Sequence, residues 1–404
     1  MFAALAAAIV AAGALIGALL IVKNRRSGTR GRRRAKERFN ARLATSTRLA
    51  ADAPPAPARR SRSNRPPGRG DMDLDRLTPR HVSHHALTLD DGQQVGVSVA
   101  GAGLPFVLLH GIGFHNRTYE RCMSYLPEFG FLAVAIEAPG HGRSSPAPRG
   151  ADFAARVDVI RRALDALGIR RAIVAGHSMG GRSAACFTAL NPERVLAAAF
   201  IDAALGESWD LAVIRQLSSE AATVRVLFDG LVDAVGDTRN ISWPERLAYY
   251  RMLSGPGRPH LADLARTPEV ARAIAVAESD QWLAAIRAAA VPVVVLQGGR
   301  DLIVPLEDAR AVARSLDAPL LTVPDGYHAW LLASPRTFAG IMAEIFADPA
   351  SIAGPAGTAG PAAKTCLDAD ALVLQWSTGP PRAVPPRLDK TVLDWRVELP
   401  AGMR

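Results

Sequence analysis

Three side chains far apart in the chain have the types needed for nucleophilic chemistry. Ser178 lies in Gly176-His-Ser-Met-Gly-Gly181, His328 in Gly326-Tyr-His and Asp301 in Gly298-Gly-Arg-Asp. A serine hydroxyl is a poor nucleophile until a base within hydrogen-bond reach takes its proton. A carboxylate behind the imidazole would hold it in the right tautomer and stabilise the imidazolium that forms. Asp301 follows an apolar run, as does Asp202, so both are candidates for that third place. A set of this kind performs acyl transfer through a covalent serine intermediate.

Such residues work only on a rigid frame. Arg171-Ala-Ile-Val-Ala175 reads as a strand leading into the serine, and Arg182 to Leu190 as a helix leaving it. In that strand–turn–helix context Gly-x-Ser-x-Gly reads as a nucleophile elbow, which lifts the hydroxyl above the sheet edge beside a helix N-terminus. The turn is crowded, and Gly176 and Gly180 lack the side-chain bulk that would clash around the serine. Strands are expected at 84–89 and 95–100, around Asp90-Asp91-Gly92, then at 105–111, 131–136, 195–201, 291–296 and 319–323. Helices are expected at 152–167, 306–316 and 335–346. Alternation of this kind specifies a mostly parallel, doubly wound sheet covered on both faces. His328 then follows a terminal strand, and its imidazole can share the sheet-edge crevice with Ser178. Between about 203 and 290 the strand rhythm gives way to helices at 209–217, 222–235, 244–253, 268–276 and 280–289. That insertion is placed to act as a lid.

Five motifs together resemble the α/β-hydrolase superfamily: His110-Gly-Ile-Gly113, Pro139-Gly-His-Gly142, Gly176-His-Ser-Met-Gly180, Gly298-Gly-Arg-Asp301 and Gly326-Tyr-His328. They span residues 84 to 347 in the family's order. The resemblance implies a Ser–acid–His triad in that chain order, which Ser178, Asp301 and His328 satisfy. It also implies an oxyanion hole made by the backbone N–H groups of Ile112 and Met179, each such donor being worth about 3 kcal/mol in the transition state. Phe114 and His115, on the loop after His110-Gly111, and Trp330 are candidate substrate contacts. His177 and His141 are expected to be structural. Soluble epoxide hydrolases and haloalkane dehalogenases place Asp where Ser178 stands, so an alkyl-enzyme ester is not expected. The expected function is cleavage of ester or related acyl bonds. Carbon–carbon bond hydrolysis and cofactor-free haloperoxidase-like chemistry are alternatives on the same triad, and a non-catalytic membrane-tethered binding protein is an alternative of another class. Trp209, Phe228, Trp243, Tyr249, Tyr250 and Trp282 give the insertion an apolar content that favours a hydrophobic small molecule or a lipid as substrate.

Composition sets the surroundings. The 404 residues are 49% hydrophobic and 6% aromatic, so Ala, Val, Leu and Ile must build the core. The net charge of +10 belongs to one segment. Residues 23 to 70 hold 16 Lys/Arg and two acids, and the remaining 32 basic and 36 acidic side chains leave the rest near −4. This stretch, rich in Arg, Pro, Ala and Ser, reads as a disordered tether drawn to anionic headgroups. Phe39 is the one aromatic residue among its arginines, too few to stack on successive bases, so no nucleic-acid partner is expected. Phe2 to Val22 carry no charge; 21 residues at about 1.5 Å each match a hydrocarbon core of about 30 Å. With basic residues following, the segment reads as a single transmembrane helix that leaves the hydrolase domain, residues 71–348, on the cytoplasmic side. Residues 349–404 read as a flexible tail. Cys122, Cys186 and Cys366 have no metal-ligand spacing, and no metal or organic cofactor is implied.

Overall fold

The computed structural model describes residues 78–147, 152–211, 229–230, 232–239, 241–254, 273–274, 277–347 and 396–398. In chain order the strands are β1 (Ser83–Thr88), β2 (Gln94–Gly101), β3 (Leu104–Leu109), β4 (Phe131–Ile136), β5 (Ala172–His177), β6 (Val195–Ile201), β7 (Val293–Gly298), β8 (Leu320–Val323) and β9 (Arg396–Glu398). They form one sheet in the order β1-β2-β4-β3-β5-β6-β7-β8-β9. From β4 through β8 every neighbouring pair is parallel; β1, β2 and β9 join antiparallel. This is the expected mostly parallel α/β sheet. From β3 the chain crosses to β4 on one side and later returns to β5 on the other. The loops after β3 and β5 therefore diverge and leave a crevice at the C-terminal edge.

Each central strand is a short apolar run because both faces are buried. The two-residue period of a strand sends alternate side chains to opposite layers. Val107, Leu109, Val174, Phe200 and Val295 join one core. Phe106, Leu108, Ile173, Ile201 and Leu296 join the other. The first layer is made by α2 (Phe153–Ala166), α3 (Met179–Leu190), α5 (Asp280–Ala288) and α6 (Leu306–Leu316). The second layer contains α1 (Glu120–Tyr125), α4 (Trp243–Ser254), α7 (Trp330–Ala333) and α8 (Pro335–Ala347).

Helix α2 shows how local sequence fixes an element. Asp152 caps it by accepting from the Ala155 N–H at 2.8 Å, and Phe153, Val157, Ile160 and Leu164 form its buried stripe. It stops at Gly168, whose φ of 70° lets the N–H groups of Gly168 and Ile169 turn back onto the carbonyls of Asp165 and Leu164.

The stretch expected to form the insertion follows β6, and α5, expected as its last helix, packs on the body of the domain: Trp282, Leu283 and Ile286 are buried in the first core. Residues 349–404, read as a flexible tail, lie outside the described residues except for Arg396–Glu398, which pairs with β8 and closes that sheet edge. The expected transmembrane segment 2–22 and the basic linker 23–70 also lie outside them. Among the described residues no helix is long and apolar enough to cross a membrane.

Candidate active site

The register brings five strand ends to one edge. Leu109 pairs with Gly176, His177 with Ile201, Ile201 with Leu296 and Gly298 with Val323. Ser178, Asp202, Asp301 and His328 all follow these ends.

Ser178 has φ 56° and ψ −121°, a conformation that non-glycine residues rarely adopt and that the elbow imposes. Its N–H donates to the Ile201 carbonyl at 3.0 Å, and its own carbonyl accepts from Gly181 at 3.0 Å. The elbow is packed too tightly for side chains on its glycines: a Cβ on Gly176 would collide with the Gly180 carbonyl, and one on Gly180 with the Leu109 carbonyl. Among the described residues the Ser178 hydroxyl has no hydrogen-bond partner, and the amides of Ile112 and Met179 donate to no acceptor. Gly111, just before Ile112, faces Ser178 directly; a Cβ there would lie 3.4 Å from the serine Cβ.

His328 Nδ1 lies 2.8 Å from Asp301 Oδ2. The carboxylate is held on every side: Oδ1 accepts from the amides of Ile303 at 2.7 Å and Val304 at 2.8 Å, and Oδ2 also accepts from Gln297 Nε2 at 2.9 Å. With Nδ1 donating to Asp301, the His328 lone pair sits on Nε2. Burial pushes the imidazole pKa down, but Asp301, with Asp233 and Asp237 beyond it, outweighs burial, and the net shift is upward.

Asp202, the alternative acid, is committed elsewhere. Its Oδ1 accepts from the Gly298 N–H at 2.6 Å and its Oδ2 from Trp330 Nε1 at 2.8 Å. Burial, with Asp301 adding to it, pushes its pKa well above the usual carboxylate range. Trp330 is fully buried and packs on Phe338. His115 is also buried, at the head of the short helix 116–119, and Phe114 lies half-buried edge-on to Tyr119.

His177, expected only to be structural, sits at a junction. Burial, and then His328, pushes its pKa down to about 3, so it carries a single proton. Nε2 donates that proton to the His328 carbonyl at 2.7 Å, and Nδ1 accepts from the Tyr119 hydroxyl at 2.6 Å. The Tyr119 oxygen in turn accepts from the Gly111 N–H at 3.0 Å. One chain of hydrogen bonds therefore runs from the loop after β3, beneath the serine, to the backbone of His328. Tyr119 and Gln297 carried no sequence signal, because each is a lone polar residue whose partners are set only by the fold.

A second buried device ties the elbow helix to the insertion. Arg182, on α3, is fully buried. It donates to the Ala204 carbonyl at 2.8 Å and to Asp210 Oδ1 at 2.6 Å, and also to the Ala277 carbonyl. Its guanidinium lies over the rings of Phe153, Trp209 and Trp282 at 5.9, 5.6 and 5.1 Å. Asp210 Oδ2 accepts from the Ser279 N–H and hydroxyl at 2.8 and 2.9 Å, and Ser279 Oγ accepts from the Gly206 N–H at 2.9 Å. The two ends of the insertion thus meet at one buried cation.

Sheet order, elbow and histidine–aspartate pair together define a class of enzyme, and comparison with known proteins agrees. The model of the alpha/beta hydrolase family matches residues 106–341, more than half of the chain, and the protein belongs to that family. It is a hydrolase by that membership. A protein of Mycobacterium phage D29 that carries the name of a non-heme haloperoxidase is 35% identical over 268 residues, covering 65% of this chain and 94% of the relative. A non-heme haloperoxidase of Rhodococcus erythropolis is 26% identical over 249 residues, covering 57% of this chain and 86% of its own. Among solved structures, an esterase from Exiguobacterium antarcticum superposes with a TM-score of 0.51 at 19% identity, over 65% of this chain and 98% of the esterase. That last likeness is one of fold.

Proposed function

We propose that the protein is a serine hydrolase that cleaves ester or related acyl bonds of a hydrophobic small molecule or lipid. The observation that carries the reading is the His328–Asp301 hydrogen bond of 2.8 Å on the loops beside a strained, positive-φ serine. Ser178 Oγ attacks the substrate carbonyl carbon while His328 Nε2 takes its proton. Negative charge moves to the carbonyl oxygen, where the amides of Ile112 and Met179 are available as donors. The tetrahedral intermediate collapses, His328 passes the proton to the departing alcohol oxygen, and the acyl group stays on Ser178. Water, deprotonated by the same imidazole, then releases the acid and restores the serine. Among the described residues Ser178 and His328 share no side-chain hydrogen bond, and the mechanism requires that contact to form in the substrate-bound state, where catalytic hydrogen bonds often tighten. The apolar residues of the insertion and the uncharged segment 2–22 support a hydrophobic substrate met at a membrane surface, with the protein tethered there and its domain in the cytoplasm.

The names of the two haloperoxidase relatives favour a second reading on the same residues, in which halide oxidation depends on Ser178. The test treats full-length protein and its Ser178→Ala variant with a fluorophosphonate, which needs an activated serine, and then offers esters of graded chain length, or peroxide with halide. Labelling of wild type alone and turnover of the longer esters are the expected results. Absence of labelling in folded wild type overturns the reading, and fractionation of the full-length protein with cytosol overturns the tether.

A further inference from the structure

The insertion sends two aspartates into the core that have no part in the triad. Residues 232–236 are helical and continue into a turn at 237–239. Asp233 and Asp237, four residues apart and so on one face, are 3% and 2% exposed. Asp237 Oδ1 accepts from the Tyr327 N–H at 3.1 Å and its Oδ2 from the Ala329 N–H at 2.9 Å. These are the two amides that flank His328. Asp233 spans the other loop, both oxygens lying 3.3 Å from the amide of Leu302, the residue after Asp301. Gly236 lies between them against the face of Tyr327, where a Cβ would stand 2.5 Å from the ring. Among the described residues neither carboxylate is paired with Lys or Arg. Burying carboxylates without a cation costs several kcal/mol, and groups kept at that cost cluster at functional sites. Burial, then Asp301, pushes the Asp233 pKa up to about 7.

We propose that Asp237, assisted by Asp233, is a positioning residue for His328, so that the insertion is part of the acid–base machinery as well as a cover. The proposal rests on the serine-hydrolase reading. Asp237 fixes the backbone on both sides of the imidazole while Asp233 fixes the loop that carries its partner, and the direction of Nε2 depends on the insertion being seated. A role limited to packing would leave the electrostatics of the base unchanged. Here the charges facing His328 are Asp301 from the loop after β7 and Asp233 and Asp237 from the insertion, with His177 below it at the end of β5. Asp202 and Tyr249 face Asp237, and Asp229 faces Asp233.

The test uses full-length wild type beside Asp237→Asn and Asp233→Asn, with Ser178→Ala as the control for the reading beneath it. For Asp237→Asn the structure leads us to expect a fall in kcat of tenfold or more with KM within twofold. The acid limb of the kcat/KM profile should also move to lower pH, because Asp237 raises the imidazole pKa only while ionised and asparagine never is; burial pushes the Asp237 pKa itself upward, so the move is read above that carboxyl's own titration. Asp233→Asn, with its longer contacts and a carboxyl only partly ionised near pH 7, should move the limb the same way by less and with a smaller loss of kcat, and remains informative if the first variant does not fold. Wild-type kcat and an unmoved limb in both variants overturn the proposal, as does a loss of kcat that follows only a fall in melting temperature. Failure of wild type to label would instead overturn the serine-hydrolase reading.

Discussion

Replacing Asp301 and Asp202 in turn by asparagine separates two carboxylates that lie in one buried cluster. In Asp301→Asn the oxygen that accepts from the Ile303 and Val304 amides, at 2.7 and 2.8 Å, stays an oxygen, so the new amide nitrogen takes the Oδ2 place. There it meets two donors, Gln297 Nε2 at 2.9 Å and His328 Nδ1 at 2.8 Å. Gln297 can turn its carbonyl oxygen inward only by giving up its bond to the Val304 carbonyl at 2.7 Å, and the imidazole can respond only by moving its proton to Nε2 and accepting at Nδ1. Nε2 then has no lone pair for the serine proton. A triad with the wrong tautomer loses about four orders of magnitude in turnover, or roughly 5.4 kcal/mol at 1.36 kcal/mol per tenfold. Asp202→Asn disturbs only the Gly298 amide and Trp330 Nε1, costing about 1–3 kcal/mol of stability for the group left unpaired. Its kcat/KM should stay within about tenfold of wild type. The assay is steady-state ester hydrolysis with thermal melts alongside. If Asp202→Asn loses as much turnover as Asp301→Asn at a similar melting temperature, the assignment of the acid is wrong.

Further outcomes follow from the same geometry. Tyr119→Phe removes the acceptor of the Gly111 N–H and the donor to His177 Nδ1 in a fully buried site. At about 1–3 kcal/mol per orphaned group, a loss of about 3 kcal/mol should lower the melting temperature by roughly 6–12 °C, and a melt within one degree of wild type contradicts the chain of bonds beneath the serine. Ser178→Ala removes a hydroxyl without a hydrogen-bond partner among the described residues, so its melting curve should overlay that of wild type while labelling vanishes; a large destabilisation would mean the hydroxyl is structural. Because its acidic neighbours raise the His328 pKa, and the base must be neutral to act, kcat/KM should fall as pH drops through a midpoint above about 6.5, the ordinary imidazole value. A profile flat to pH 5.5 excludes that electrostatic picture.

The parts of this molecule that announce themselves in sequence are those governed by short-range rules. A strand buried on both faces must be a continuous apolar run, so β3, β4, β5, β6 and β7 stand out within a few residues of their true ends. The elbow is equally legible, because collisions in its turn exclude all but glycine at 176 and 180. The choice between Asp301 and Asp202 was open because both follow strands, and only the aim of each carboxylate decides which touches His328. Asp237 gives no local sign at all: its partners are the amides of residues 327 and 329, about 90 positions away, and a backbone amide leaves no mark in a sequence. His177 reads only as a structural residue, and its bond to the His328 carbonyl, which ties it to the candidate base, is invisible in the sequence. Strand β9 is three residues long, too short for any periodicity to show.

The buried knot of Arg182, Asp210, Ser279 and Gly206 has a consequence for how this protein can diversify. By joining the two roots of the insertion, it makes the intervening stretch a closed loop whose length hardly matters to the body, since doubling a loop costs only about 0.6 kcal/mol. The region from 211 to 278 can therefore change in size and apolar content while the sheet and elbow stay as they are, provided α4, whose Tyr249, Met252 and Leu253 pack in the second core, is kept or matched. The exchange carries a second condition. A replacement cassette must bring its own pair of carboxylates to the places of Asp233 and Asp237, or it will fit the socket and leave the histidine loop without its grip.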